Sequence, residues 1–277
     1  MHHFYTDHLI LMRLIQRFPH HLAVFLPLMC VVLFSGCATV RSHDKDETSF
    51  ERIDPYEKAN RGSYKFTDVV DRKILEPVAN FYIDHVPDRI RRSVANFYDN
   101  LEYPNVVLNA FLQGKVRQGF QDSLRFIVNS SAGVGGLFDV ASHMGLLQHN
   151  EDFGQTLGVW GVDAKTYIFI PVLGPSSNRD IADIPVSTVT NPLFFAGIFV
   201  LGAPVTVPLG ILAAIDLRAR LSGPMKIRDE AALDPYLFVR DAYLQQRKHL
   251  IYDGNPPPDV YEDLMKEESP KAESPAK

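Results

Sequence analysis

The chain has 277 residues, with 28 Lys plus Arg against 33 Asp plus Glu and a net charge of −5, a balance that leaves no basic footprint for nucleic acid. Its two cysteines, Cys30 and Cys37, both fall in the first forty residues, so no disulfide can cross-link the rest of the chain. The body must hold by packing alone.

An uninterrupted apolar run from Leu22 to Phe34 follows Arg13 and Arg17 and leads straight into Ser35-Gly36-Cys37-Ala38, which is the layout of a secretory signal peptide. The run has 13 residues and contains Pro27, whereas a bilayer-spanning helix needs roughly 20 apolar residues. It is too short for a good permanent anchor. Small residues at 35 and 36 let a peptidase reach the backbone, and the cysteine directly after them resembles the lipobox of bacterial lipoproteins, in which that thiol receives a diacylglyceryl group. Phe34 departs from the aliphatic residue usual there. Cys30 is a poor rival acceptor, because bulky Met29 precedes it. Cleavage after Gly36 leaves a 241-residue chain beginning at lipidated Cys37; two arginines and one aspartate depart with the leader, so the mature charge is −6. Ala38 follows the cysteine where an aspartate favours inner-membrane retention, and outer-membrane sorting is expected.

Residues 38–52 are polar and read as a tether. At Asp54-Pro55, with Glu57 three residues on, an N-capping carboxylate and a first-turn proline start a helix. That helix is expected to run to about residue 76, with Tyr56, Ala59, Tyr64, Phe66 and Val69 set against Lys58, Arg61, Lys65 and Asp68. Val116, Phe120, Leu124, Ile127 and Val128 recur at helical spacing and predict an amphipathic helix. Gly133, Gly135 and Gly136 fail the phosphate-loop and dinucleotide patterns and read as the turn closing it. Thr156 to Val172 carries Tyr, Ile, Phe, Val and Trp among glycines, compatible with short strands or irregular loop. Gly174-Pro175 reads as a turn, Ser176 and Ser177 with it, and Arg179 and Asp180 as fixing the loop that follows.

Pro192 to Ile215 has 24 residues without a charge. Pro204 and Pro208 each remove a backbone donor, which predicts a helix, a break between Gly202 and Pro208, and a second helix. Such a pair is either a buried core hairpin or a membrane-embedded, re-entrant one. Asp234-Pro235 starts a last helix, and residues 255–277 read as a tail too polar and proline-rich to order itself. One domain of about 200 residues, 53–254, remains.

No motif carries catalysis. A Gly-x-Ser-x-Gly elbow is absent, the five mature histidines lack helical metal spacing, and no cofactor pattern is present. His149 beside Glu151 and Asp152 reads as solvated loop, and Asp180 with Asp183 as turn and helix start.

Ile53-Asp-Pro-Tyr-Glu-Lys-Ala-Asn-Arg61, Asn96-Phe-Tyr-Asp-Asn-Leu-Glu-Tyr-Pro104, Asn109 to Gly114 and Arg125-Phe-Ile-Val-Asn-Ser130 resemble, in order, segments of the MlaA (VacJ) lipoproteins. So do Gly135 to Ala141, Asp152 to Val162, Pro171 to Asp180 and Asp234-Pro-Tyr236; the chain departs at Ala164-Lys-Thr-Tyr167, where Gly-Pro-Tyr is common. The resemblance implies an all-α, ring-like fold lying in the membrane with a central amphipathic channel. It implies no catalysis and no cofactor. The implied partners are phospholipid, trimeric porins and a soluble periplasmic carrier that receives lipid from the outer leaflet. Within that resemblance the helix carrying Tyr64, Lys65 and Phe66 packs beside the channel.

Cys37→Ala is expected to give an unlipidated precursor that fails to reach the outer membrane, since the lipid is both sorting signal and anchor. Mass spectrometry of the wild-type protein checks this; full-length, unacylated protein would overturn it.

Overall fold

The computed structural model describes residues 53–257. The signal peptide with Gly36, the acylation site Cys37, the tether and the tail beyond residue 257 lie outside the described residues.

The described part is mostly helical. Helix α1 (Glu57–Val70) passes through a π-helical turn (Asp71–Leu75) into α2 (Glu76–His85), so the first helical run extends past residue 76. Pro77 lacks the N–H that an unbroken ladder would use, and the wider turn just before it absorbs the loss. Asp54 does not cap α1 with its side chain as expected; it is buried, accepting from Asn60 Nδ2 at 2.8 Å and from the Tyr236 hydroxyl.

Helix α3 (Asp88–Leu112) buries Tyr98, Asn105, Val106, Asn109 and Ala110, one face at i, i+3 and i+4 spacing. Helix α4 (Val116–Ser131), the amphipathic helix expected from its spacing, packs back along it. The glycine turn closes α4: the Gly135 and Gly136 N–H groups donate to Ser130 and Asn129 carbonyls at 2.9 and 2.8 Å. Gly136 sits at φ +94°, and a Cβ there would lie 2.5 Å from Cβ of Asn100. Only glycine lets this turn approach α3 so closely. A short α5 (Val140–His143) follows, capped by Asp139.

The ambiguous middle segment begins, against expectation, as helix through Val159 and continues as loop and then strand. Asp152 caps α6 (Phe153–Val159), and then β1 (Tyr167–Ile170) pairs antiparallel with β2 (Gly174–Ser177). Gly174 and Pro175 are therefore not the turn; residues 171–173 are, and Ser176 and Ser177 are buried strand residues. The reason lies far away in sequence. Asn60 of α1 accepts from the Phe169 N–H at 2.9 Å and donates to the Tyr167 carbonyl at 3.1 Å, holding β1 extended.

A 3-10 turn (Asp180–Ala182) leads into α7 (Asp183–Thr190), α8 (Pro192–Ala196) and a π-helical turn (Gly197–Leu201). The helix stops at Gly202, at φ +68°, and restarts as α9 (Ala203–Arg220). Pro204 sits in the first turn of α9, where a missing N–H costs little, and Pro208 lies inside the helix. The break is thus a single residue, shorter than the stretch to Pro208. Ile215 continues the same helix, and a Cβ at Gly197 would meet the Thr206 side chain at 2.8 Å. Among the described residues no single helix is long and apolar enough to cross a membrane; Asp180–Thr190 and Pro192–Leu201, bent by 51°, are so only as a pair.

Helices α10 (Ser222–Ala231) and α11 (Pro235–Ile251) complete the body, the latter capped by Asp234 as its Asp-Pro start predicts. Tyr167, Phe169 and Tyr236 form an aromatic core, with Tyr64 edge-on to Phe169 and Tyr236 at 5.5 and 5.8 Å. This is where α1, the strands and α11 meet.

Asn60→Ala leaves the Phe169 N–H and one Asp54 oxygen without their buried partner, and an unsatisfied buried group costs about 1–3 kcal/mol. Unfolding of the detergent-solubilised variant should show a loss in that range, and a variant as stable as wild type would refute the pinning role of Asn60.

Candidate functional site: an amphipathic cavity

Among the described residues, the fully buried side chains are inverted relative to an ordinary core: ten are hydrophobic and nineteen polar or charged. Large apolar residues lie outside, including Phe120, Ile127, Phe199 and Val200 at 67, 59, 69 and 80% exposure. Scattered exposed leucines need no explanation, but buried polar residues under a broad apolar exterior do.

The polar interior opens into a cavity of about 820 Å³. Part of its lining is apolar, from Val106 of α3, Leu193 and Phe194 of α8, Ile198, and Ala203 of α9. Another part is acidic and amide-rich, from Glu102 and Asn105 of α3, Asn150, Glu151 and Asp152 before α6, and Asp183 of α7.

Two of these carboxylates are held from behind. Glu151 accepts from Lys115 Nζ at 2.9 Å, Gln113 Nε2 at 2.9 Å and Gln118 Nε2 at 2.8 Å. Asp152 takes both Arg247 η-nitrogens, at 2.5 and 2.9 Å; burial works against its charge, but Arg247 outweighs burial and holds it below the ordinary carboxylate range. Arg247 also reaches Asp180, with Nη2 at 3.1 Å, and the Tyr243 hydroxyl donates to the same carboxylate. The other two lack such support. Asp183 has neutral donors, Asn105 Nδ2 at 3.2 Å, the Phe153 N–H at 2.9 Å and the Ser187 hydroxyl, and burial pushes it up. Desolvation pushes Glu102 up, with the negative charge of Asp99 adding to it.

Glu151, Asp152 and Asp183, read from sequence as loop and helix start, line this cavity; the residues singled out for the hairpin, the loop and the channel-side helix do not. Pro192, Gly202, Pro204, Pro208 and Ile215 shape the helices around it, and their neighbours Leu193, Ala203 and Thr206 line it. Arg179 is buried and donates to Asp180 at 2.7 Å, beside β2 with Gly174 and Pro175. Tyr64 packs into the aromatic core, while Lys65 and Phe66 are exposed. His149 stands in a loop, as expected, but is only half-exposed: its Nδ1 lies 2.8 Å from Oδ1 of Asp122, a fully buried carboxylate of α4. Glu102 lies inside the family-like segment Asn96 to Pro104 and Asn105 directly follows it, but the long helix α3 that carries both is not among the predicted elements, so neither is marked as a lining residue.

Arg247→Met strips the shared cation from two partly buried carboxylates, a loss of about 3 kcal/mol for a broken buried pair. Asp152 is depressed in the folded state, so its contribution is full above the ordinary carboxylate range and fades as pH falls below it. Thermal unfolding should show the variant destabilised at neutral pH and less acid-sensitive than wild type; parallel pH profiles would contradict this.

The family model for the MlaA lipoprotein matches residues 52–250. The chain is 32% identical over 230 residues to the intermembrane phospholipid transport system lipoprotein MlaA of Haemophilus influenzae, covering 82% of this chain and 89% of that protein. It is 34% identical over 246 residues to the protein of that name from Escherichia coli K12, covering 87% and 90%. A solved structure, from work on the structural basis for maintenance of bacterial outer membrane lipid asymmetry, superposes with a TM-score of 0.62 at 33% identity. It covers 72% of this chain and all of that one. With the family model spanning most of the chain and two relatives above 30% identity along nearly their whole length, this chain belongs to the MlaA lipoprotein family.

Proposed function

We propose that this chain is an outer-membrane lipoprotein, anchored through Cys37, that takes phospholipid from the outer leaflet and passes it inward through the cavity between α3, α7 and α9. The observation that carries the reading is the mixed lining. A phospholipid presents a charged headgroup and apolar chains at once, and a cavity lined by both acidic, amide-bearing residues and aliphatic and aromatic ones can accompany both ends. The relatives named as intermembrane phospholipid transport lipoproteins support the same conclusion.

The inverted exterior supports embedding in lipid. Phe120, Leu124 and Ile127 of α4 and Phe195, Phe199 and Val200 beyond Asn191 would be costly in water and are at home in hydrocarbon. In this reading the ring-like arrangement, the broken helical pair at Gly202 and the irregular glycine turns form one membrane-seated conduit. A trimeric porin against the apolar exterior and a soluble carrier on the periplasmic side complete the route. The chemistry belongs to transfer, with no bond made or broken and no enzyme activity.

Thr188 lines the cavity without belonging to its ion pairs. In a strain lacking this chain, the wild-type gene should restore low surface phospholipid. Thr188→Trp, placing an indole in the passage, should accumulate normally yet leave surface phospholipid a few-fold higher. Full complementation by this variant, or a deletion that leaves surface phospholipid unchanged, would overturn the proposal.

A further inference from the structure

We infer that the cavity selects lipid by headgroup charge, with Glu102 and Asp183 favouring a zwitterionic phospholipid that carries an ammonium group over one whose headgroup is only anionic. This rests on the reading of the cavity as a phospholipid path.

No lysine, arginine or histidine lines the cavity, although four carboxylates do. Their states differ. Glu151 and Asp152 are each ion-paired from outside, with Lys115 and Arg247. Asp183 has only neutral donors, the Asn105 amide, the Phe153 N–H and the Ser187 hydroxyl. Glu102 accepts no hydrogen bond, and Arg220, the cation that acts on it, is committed to Asp99 at 2.8 Å and Asp216 at 3.0 Å. Glu102 and Asp183 are therefore the two lining carboxylates that have no cation hydrogen-bonded to them. Every phospholipid brings a phosphate, which these carboxylates repel. A headgroup that also brings an ammonium offsets the repulsion by pairing with Glu102 or Asp183, and a headgroup ending in hydroxyls does not. The two residues determine specificity; the apolar lining accepts acyl chains of either lipid alike.

The test isolates full-length lipidated protein from membranes containing phosphatidylethanolamine and phosphatidylglycerol and measures bound lipid by mass spectrometry. Lipid lost in Thr188→Trp counts as cavity lipid. Its ethanolamine to glycerol ratio should exceed that of the bulk membrane by about three- to ten-fold. Glu102→Gln and Asp183→Asn should move it toward bulk, and Glu102→Lys should enrich phosphatidylglycerol, a gain that misfolding cannot produce. A wild-type ratio equal to bulk, or an ethanolamine preference that survives Glu102→Lys, overturns the selectivity and leaves the conduit standing. No lipid displaced by Thr188→Trp would sink both.

Discussion

The guanidinium of Arg247 is the point on which the geometry of the cavity depends. It bridges Asp152, which caps α6 and lines the cavity, and Asp180, which begins the approach to α7. Because α11 supplies the arginine, the last helix ties together two segments from the middle of the chain, the start of α6 and the approach to α7. Arg179 and Tyr243 satisfy the remaining lone pairs of Asp180. A buried ion pair is a poor source of stability but a strict source of position, since any displacement leaves a charge without its partner.

The same logic recurs through the body. Arg218 grips Asp71 with two nitrogens, at 2.5 and 3.0 Å, and Arg125 joins Asp139, Ser142 and the Leu146 carbonyl. These links replace the aliphatic packing that would fill a water-soluble domain of this size. With its apolar residues facing outward, the chain cannot draw cohesion from a large hydrophobic interior. Hydrogen-bonded charge takes over that role, and it leaves room for a passage between helices that close packing would have filled.

Much of the helical framework was legible in sequence, because it is set locally. The Asp234-Pro235 start, the periodicity from Val116 to Val128 and the glycine turn after it depend on neighbours a few residues away. What was hidden depends on distant partners. The β1–β2 hairpin exists because Asn60 meets it from 107 residues upstream, and Asp54 leaves its capping role for Asn60 and Tyr236. The loop around His149 was legible, but its buried partner Asp122 was not. The cavity was least legible of all, since its lining comes from α3, α7, α8 and α9 and no single segment shows more than an ordinary amphipathic helix. Family motifs marked the right stretches, such as Asn96 to Pro104, without saying which side chain faces inward.

The contact between Asp54 and Tyr236 spans 182 residues, nearly the whole described body. A chain that is exported from its N-terminus presents α1 first and α11 last, so Asp54 and Asn60 must wait for almost the entire polypeptide to emerge before their partners arrive. Closing so long a loop is slow and precedes its reward. Meanwhile the uncharged stretch from Pro192 is already out, with nothing yet to seat it. The clasp therefore makes folding an end-of-synthesis event: a chain terminated before α11 has no Tyr236 to occupy Asp54, and stays open at that end.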